Sequence, residues 1–370
     1  MSRLFQPIQI GNLTLSSRVI LPPLTRCRAT DTHVPQSSHI EYYSQRASYP
    51  GTLLIAEATL IAPEASGMRN IPGIWNQSQI AAWKSVTDAV HRKGSYIFLQ
   101  LCALGRAASP VILEEELGPG RNGKVKAPSP VAFEGGALPT ELTEEEIWKF
   151  VGYYRQGALN AMEAGFDGVE LHGANGYLVD QFLQDVSNQR IDAWGGDVEK
   201  RARFVLEVTK AVVDSIGPEK IGVRLSPFGT FQGMRMEDSK IEAQFSYLIE
   251  ELKKLNLAYL HLVETRANGT PGGLEAVALT HLLNIWGKTS PVILAGGFSP
   301  KSAYKAVEDD FKDREVAIGF GRYFTSNPDL IKRLERKIQL ASYDRSTFYT
   351  NEQILGYTDW PFSEEIGVEA

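Results

Sequence analysis

Several features that would place this chain in a specialised class are scarce or absent from its 370 residues. There are only two cysteines, Cys27 and Cys102, which excludes an iron–sulfur cluster with four cysteine ligands and favours a reducing compartment without disulfides. No apolar run is long enough to span a bilayer, and no apolar segment follows the basic residue of the N-terminal MSRLFQPIQIG, as a signal peptide would require. These absences predict a cytoplasmic protein.

The charge pattern also lacks the basic stripe that nucleic-acid binding needs. The formal net charge is -6, the isoelectric point is about 5.7, and the lysines and arginines are scattered along the chain. We therefore expect a small-molecule ligand, with no nucleic acid, membrane or metal ion as a partner, and a monomer or homodimer.

What the sequence does contain is a regular alternation of strand-like and helix-like segments. The apolar runs are mostly continuous in Val, Ile and Leu, as in parallel strands buried on both faces, and they cover residues 19–24, 53–60, 96–101, 168–172, 221–225, 259–263, 292–295 and 316–320. Amphipathic segments lie between most of them, at residues 80–93, 144–164, 201–216, 241–255, 279–287, 300–310 and 328–340. Thr143, Ser299 and Asn327 are the expected caps of three of these helices.

Strand–helix alternation through eight strands predicts an α/β fold, namely a (β/α)8 TIM barrel that residues 1–370 form as a single domain. A doubly wound open sheet is the alternative, but no GxGxxG motif follows the first strand. Residues 4–19 alternate apolar and polar side chains around Gly11-Asn12, which predicts an N-terminal β-hairpin. Residues 105–142 form an insertion after the third strand, predicted to be a lid or pocket wall, and residues 341–370 form an aromatic tail predicted to pack on the barrel.

The end of the fourth strand carries the densest group of candidate functional residues. In the sequence GFDGVELHGANGYLVDQ, an apolar strand ends in His172, Asn175 and Tyr177, with glycines between them. These side chains supply two hydrogen-bond donors and a proton donor, as chemistry at a carbonyl group requires. A structural role is the ordinary explanation for a single His or Tyr at a strand end, but three polar groups at one bend must all find partners or a ligand.

Other strand ends contribute residues that suit a phosphate-bearing, planar ligand. Arg224 lies within an apolar strand, which is costly unless an anion or an internal salt bridge meets it. Glycine loops with a cation after the seventh and eighth strands are typical of a barrel phosphate site, formed here by Gly296, Gly297, Gly321 and Arg322. Flavin mononucleotide fits such a site.

The chain resembles the old yellow enzyme family of flavin-dependent ene-reductases over nearly its whole length. The motifs that carry the resemblance are LFQPIQIGNLTLSSRV, PPLTR, HGANGYLVDQFL, NQRIDAWGG followed by RARF, RLSP, AGGF, FGRYFTSNPDL and YDRSTFY. By this resemblance FMN is bound non-covalently, and the residues expected to contact its ring or ribityl chain are Pro23, Thr25, Ala58, Gln100 and Arg224. The phosphate is expected at Gly296, Gly297, Gly321 and Arg322.

The resemblance also implies a reaction. NADPH reduces the flavin, an α,β-unsaturated aldehyde or ketone then receives hydride at Cβ, and Tyr177 protonates Cα while His172 and Asn175 bind the carbonyl oxygen. Phe231 and Tyr357 are expected to line the substrate pocket. Thr25 places the chain in the branch with Thr rather than Cys at this position, similar to fungal and plant-type members.

One departure from the family pattern concerns the pocket. Many relatives carry Trp two residues after the third-strand Gln, whereas this chain has Cys102. We expect Cys102 to line a roomier pocket as an inert thiol.

Two other functions remain open on the sequence alone. A flavin-dependent isomerase of the same fold, acting on an enone or enal of specialised metabolism, would return the hydride to its product, and Tyr177 argues against it. A flavin-free barrel enzyme with a phosphorylated substrate, such as an aldolase, would need a strand-end lysine, and none is found.

Overall fold

The structure is a computed structural model that describes residues 2–118, 124–264 and 274–366, and for residues 274–278 it describes the backbone alone. Its strands are β1 (Ile8–Ile10), β2 (Leu13–Leu15), β3 (Val19–Ile20), β4 (Leu53–Leu60), β5 (Tyr96–Cys102), β6 (Lys126–Ala127), β7 (Thr140–Glu141), β8 (Gly168–Gly173), β9 (Ile221–Leu225), β10 (Tyr259–Val263), β11 (Val292–Ala295) and β12 (Val316–Gly319). Its α-helices are α1 (Ser37–Arg46), α2 (Gln77–Arg92), α3 (Pro110–Leu117), α4 (Glu144–Glu163), α5 (Leu178–Leu183), α6 (Val198–Ile216), α7 (Asp238–Lys253), α8 (Leu274–Trp286), α9 (Pro300–Lys305), α10 (Gly321–Ser326) and α11 (Leu330–Arg336).

Eight parallel strands close into the predicted barrel. Their order in the sheet is β3-β12-β11-β10-β9-β8-β5-β4, and a parallel bridge between Leu21 and Leu54 joins the two ends of the sheet. Each strand begins where the apolar pattern predicts. The first strand ends earlier than predicted because Pro22 and Pro23 follow it, and proline has no backbone N–H to donate to the ladder.

The N-terminal hairpin is confirmed and fills one end of the barrel. Strands β1 and β2 pair antiparallel with Ile10 opposite Leu13, which leaves Gly11-Asn12 as a two-residue turn. Ile8 and Ile10 pack against the barrel residues Ile20, Phe98 and Tyr259 in one apolar cluster. Because this cluster fills the end at which the strands begin, a ligand site is left to the opposite end, where the strands finish.

Helix starts follow the predicted capping residues in two of three cases. The side chains of Thr143 and Ser299 accept hydrogen bonds from the third residue of α4 and α9, as predicted. The prediction for Asn327 is wrong, because α11 begins after Asp329. The amide of Asn327 bonds instead to the main chain of Tyr323 and Ala341.

The insertion after β5 contains a 3-10 turn at Gly105–Ala107, helix α3 and the short strands β6 and β7, while residues 119–123 lie outside the described part. Among the described helices, none is long and apolar enough to cross a membrane.

Candidate active site

Polar side chains from neighbouring strands meet inside the barrel, towards the end at which the strands finish. Gln100 in β5 lies opposite Glu170 in β8. Two residues further along β8, His172 lies opposite Arg224 in β9, which in turn lies opposite His261 in β10. All five are buried except Arg224, which is half-buried. The strand register therefore brings together residues that are up to 161 positions apart in the sequence.

The centre of this group is Glu170, which the sequence did not single out. Its Oε1 atom accepts a hydrogen bond from the Gln100 amide at 2.8 Å, and its Oε2 atom lies 3.1 Å from the Tyr259 hydroxyl and 2.7 Å from Nδ1 of His261. A carboxylate wholly removed from water needs such donors, because an unpaired buried charge is costly. Glu170 therefore links three strands of the barrel.

His172 is held as a neutral imidazole. Burial is the main cause that lowers its pKa well below the usual value, and the positive charge of Arg224 acts in the same direction. Its Nδ1 atom faces the backbone N–H of Ala174 at 3.4 Å, so Nδ1 is the acceptor and the proton of the neutral ring belongs on Nε2. His172 can thus donate one hydrogen bond from Nε2.

Asn175 lies at the bend that follows β8. Its φ angle of 59° is in the left-handed region, which Asn tolerates better than most residues. The bend is fixed by two hydrogen bonds from the main chain. The backbone N–H of Asn175 donates to Oγ of Ser226 at 2.8 Å, and the backbone N–H of Gly176 donates to Oδ2 of Asp180 at 2.8 Å. Asn175 therefore has a defined place beside His172.

Tyr177 follows this bend at the start of α5. Burial is the largest cause that raises the pKa of its hydroxyl, and Cys102 and Tyr349 add to the shift, while a hydrogen bond with the Gln232 side chain opposes it. The rings of His172 and Tyr177 meet edge to face. Tyr177 therefore retains its proton at neutral pH next to a neutral hydrogen-bond donor.

Glycines follow the ends of β11 and β12. Gly296 and Gly297 have φ angles of 147° and 84°, and a Cβ atom at Gly296 would lie 2.3 Å from the Glu264 carbonyl oxygen. Gly321 begins α10, whose first amides have no intrahelical acceptors. The next residue, Arg322, is half-buried and donates to the Tyr343 hydroxyl at 3.3 Å.

Residues 3–341 match the family model of NADH:flavin oxidoreductases / NADH oxidases. The chain is 50% identical over 365 residues to chanoclavine-I aldehyde reductase fgaOx3 of Penicillium roqueforti, covering 99% of this chain and 98% of that protein. It is 49% identical over 374 residues to the NADP-dependent oxidoreductase lnbE of Aspergillus flavus, covering 99% and 97%. The crystal structure of Old Yellow Enzyme from Pichia sp. AKU4542 superposes with a TM-score of 0.88 at 39% identity, covering 98% of this chain and 94% of that one.

The chain belongs to the old yellow enzyme family. It is therefore an oxidoreductase with FMN as cofactor, and the predicted fold is confirmed. The flavin-free barrel enzyme considered from the sequence is wrong, because the whole barrel matches a flavin oxidoreductase family.

The described residues at this end of the barrel are suited to bind FMN. Nε of Arg224 and Nε2 of His261 are buried without a hydrogen-bond partner among the described residues, although buried polar atoms normally have one. Both atoms belong to the strand-end group that surrounds Glu170. The glycines beside Arg322 follow β11 and β12 at the same end of the barrel, where their backbone amides and the guanidinium group suit a phosphate.

The other residues predicted to contact the cofactor lie around this region. Pro23 is buried and Thr25 half-buried in the segment after β3, and that segment meets the eighth strand end, since a Cβ atom at Gly321 would lie 3.2 Å from Leu24. Ala58 is buried where the pairing register of β4 shifts between Ala56 and Thr59. Their contacts with FMN remain predictions.

An open cleft of about 540 Å³ lies beside the bend that follows β8. Phe231 lines it, together with residues of the insertion and of the loop after β9: Ala107, Phe133, Glu134, Thr230, Gln232 and Gly233. Its contact with a substrate remains a prediction. A Cβ atom at Gly176 would lie 2.9 Å from Gln232, which shows how closely the cleft approaches Tyr177. The insertion thus forms a wall of this cleft.

Cys102 does not line an open pocket in the structure. Its side chain has no exposed surface and packs in an apolar cluster with Ala58, Leu60 and Leu104, against which Tyr177 also packs. Burial raises the pKa of its thiol well above the usual value. The expectation of a pocket-lining thiol is corrected because this short side chain stays beneath its larger neighbours.

Tyr357 is likewise buried, although the sequence placed it in the substrate pocket. Its ring stacks on Tyr42 with the centroids 4.2 Å apart, and the guanidinium group of Arg28 lies 4.5 Å from its centre. Tyr357 is part of the attachment of the tail to the barrel, because a stacked ring with no exposed surface is not available to a ligand.

Two buried arginines hold the tail. Arg28 donates to the carbonyl groups of Thr347, Phe348, Glu352 and Leu355. Arg26 reinforces this contact through the carbonyl groups of Phe348 and Gly356.

The loop held by these arginines carries Tyr349, whose side chain is exposed yet close enough to Tyr177 to affect its pKa. The sequence places Tyr349 in the aromatic tail, as the last residue of the motif YDRSTFY, but does not by itself assign it a role at the site.

Proposed function

We propose that this old yellow enzyme uses NADPH to reduce the carbon–carbon double bond of an α,β-unsaturated aldehyde or ketone. The observation that carries the proposal is the group formed by His172, Asn175 and Tyr177, in which a neutral imidazole meets a protonated phenol. An aldehyde is the favoured substrate class, since a relative with 50% identity is named as an aldehyde reductase.

His172 binds the carbonyl oxygen of the substrate in this proposal. With its proton on Nε2, the neutral ring donates a hydrogen bond and does not protonate the oxygen. Such a donor stabilises the negative charge that develops on the oxygen when the adjacent alkene is attacked, and Asn175 supplies the second donor. The hydrogen bond to Ser226 supports this role, because a fixed bend holds Asn175 in place before the substrate binds.

Tyr177 supplies the proton at Cα. Its raised pKa keeps the hydroxyl protonated at neutral pH, so it gives up the proton only to a strongly basic carbon. Gln232, whose side chain opposes the rise in the pKa of Tyr177, lines the same cleft as Phe231, so the phenol lies beside that cleft.

When bound, FMN supplies the hydride that NADPH provides and that Cβ of the substrate receives. The residues proposed to hold its ring are Pro23, Thr25, Ala58, Gln100 and Arg224, and those proposed to hold its phosphate are Gly296, Gly297, Gly321 and Arg322. An isomerase that returns the hydride would not need Tyr177, so the presence of this phenol supports net reduction.

The test begins with the absorption spectrum of the purified protein, which should show non-covalently bound FMN that acid or heat releases. The NADPH-reduced protein is then mixed anaerobically with an enal and with its saturated aldehyde. Reoxidation by the enal alone, with the saturated aldehyde as product, supports the proposal. Reduction of the carbonyl group to an allylic alcohol, or recovery of an isomerised enal, would contradict it.

A further inference from the structure

The carboxylate of Glu170 has no part in the proposed oxygen binding or proton transfer, yet three described side chains inside the barrel contact it. Gln100, Tyr259 and His261 all place a donor on it, from strands on both sides. A buried carboxylate with three side-chain donors needs a physical explanation, because an apolar residue of similar volume would avoid the desolvation cost.

Charge balance with Arg224 is the first part of that explanation. Burial lowers the pKa of Arg224, and the carboxylate of Glu170 is the largest opposing influence. No hydrogen bond joins these two side chains among the described residues, and Nε of Arg224 has no partner at all there. Glu170 therefore offsets the charge of Arg224 through space and leaves the guanidinium donors free for a ligand.

Orientation of two neighbours is the second part. Because the Gln100 amide donates to Glu170, its Oε1 atom is left as an acceptor on the other side of the group. Burial lowers the pKa of His261, so the ring is neutral. Its Nδ1–H donates to Glu170, which leaves the unpartnered Nε2 as an acceptor. Glu170 thus fixes which atoms of Gln100 and His261 a ligand meets.

We propose that Glu170 is a positioning residue that sets the reduction potential of the bound FMN. The inference rests on the proposal that Gln100 and Arg224 contact the flavin ring. Reduction adds negative charge to that ring, so a nearby positive charge raises the potential and a nearby negative charge lowers it. With Glu170 present, the charge of Arg224 is largely offset and the potential stays low enough for the reduced cofactor to pass its electrons to an alkene.

The test is the midpoint potential of the FMN-loaded enzyme, measured by spectroscopic redox titration of the wild type and of Glu170→Gln. The variant removes one negative charge and keeps the side-chain shape. The ratio of the dissociation constant of oxidised FMN to that of reduced FMN should rise about tenfold in this variant. For a two-electron reduction, that change raises the midpoint potential by about 30 mV. Glu170→Asp keeps the charge and should stay closer to the wild type.

A matched control is Asp329→Asn, which removes a buried carboxylate that pairs with Arg333 outside the site. Its potential should equal that of the wild type. If Glu170→Gln shows an unchanged or lower potential, or only the shift that Asp329→Asn shows, the inference is wrong.

A second variant covers the case in which Glu170→Gln does not fold or does not retain FMN. Tyr259→Phe keeps the charge of Glu170 but removes an O–H dipole that points at it. The potential should then shift in the opposite direction, downwards and by less, and an unchanged or raised potential would overturn the inference. A wild type that binds FMN but is not reoxidised by enals would contradict the proposed function instead, and would leave this redox test intact.

Discussion

The ring of His172 meets the ring of Tyr177 edge to face, with 4.9 Å between the ring centroids. This contact joins the proposed oxygen-binding group to the proposed proton donor across a single bend of the chain. Burial keeps the first neutral and the second protonated, so neither group carries a charge at neutral pH. The two roles can therefore be separated by variants that alter one ring at a time.

The first prediction concerns Tyr177→Phe, which keeps the ring and removes the hydroxyl. Reduction of the enzyme by NADPH does not use this proton and should be nearly unchanged. Reoxidation by an enal should slow by roughly 10²–10⁴-fold, the usual effect of losing a general acid. Stopped-flow absorption separates the two half-reactions.

The control is Tyr154→Phe, which removes another buried hydroxyl near Cys102. Both half-reactions should keep their wild-type rates. The reduced product of a nitroalkene is stable without enzymatic protonation. The rate of reoxidation by a nitroalkene should therefore fall less in Tyr177→Phe than the rate of reoxidation by an enal. Slow reduction by NADPH with intact enal turnover would show that Tyr177 is not the proton donor.

The second prediction concerns the phosphate of FMN. Arg322→Gln removes the cation beside the glycines that follow β11 and β12 and should raise the dissociation constant of FMN about 10–100-fold, as expected for a hydrogen bond to a charged group. Riboflavin lacks the phosphate, so its affinity should be the same in wild type and variant. Fluorescence titration of the apoprotein measures both, with Arg336→Gln on an exposed part of α11 as the control. Equal losses for the two ligands would place the phosphate elsewhere.

The third prediction concerns the tail. Arg28→Lys keeps the charge but replaces the five donors of a guanidinium group by three, so several buried carbonyl groups lose their partner. The free energy of unfolding should fall by about 1–3 kcal/mol. Limited proteolysis should cut the tail faster, and KM for the enal should rise more than kcat falls, because the loop that carries Tyr349 is less well held.

Arg345→Lys is the matched control, since Arg345 is an exposed arginine in the same tail. It should leave stability, proteolysis and KM unchanged. If both variants behave alike, the network around Arg28 does not hold the loop.

The fourth prediction concerns stability against pH. Burial lowers the pKa of His39 to about 3, whereas an unfolded histidine titrates near 6.5. Below pH 6.5 the unfolded chain therefore binds a proton that the folded chain refuses, and stability is lost as the pH falls. Between pH 6.5 and pH 5 this costs about 2 kcal/mol.

His39→Gln removes this titration, so the stability difference between wild type and variant should change by that amount between pH 7 and pH 5 in denaturant unfolding. His281→Gln at the exposed surface of α8 serves as the control for losing a histidine. Parallel pH profiles for the wild type and His39→Gln would contradict the buried neutral state.

The sequence predicts the barrel well because its strands are buried on both faces and therefore appear as continuous runs of Val, Ile and Leu. It also indicates His172, Asn175 and Tyr177, since these polar residues follow a strand directly. Glu170 was missed for a physical reason: its partners Gln100 and His261 lie 70 and 91 positions away, and only the strand register brings them together.

Side-chain depth was the other quantity that the sequence could not supply. Cys102 and Tyr357 lie at positions where the family pattern suggests a pocket, but neither has exposed surface. Whether a residue reaches a cavity depends on the length of its side chain and on the neighbours that cover it, here Tyr177 for the thiol and Arg28 with Tyr42 for the phenol.

The contacts of the arginines that hold the tail can form only late in the synthesis of the chain. Arg26 and Arg28 follow the first barrel strand, whereas the carbonyl groups that they bind belong to residues 347–356. A ribosome releases the arginines more than 300 residues before their partners. Until then, two guanidinium groups destined for the interior must stay in water or remain unpaired. A chain cut short before Thr347 would therefore lack these acceptors, and both guanidinium groups after the first barrel strand would lose the partners that hold them.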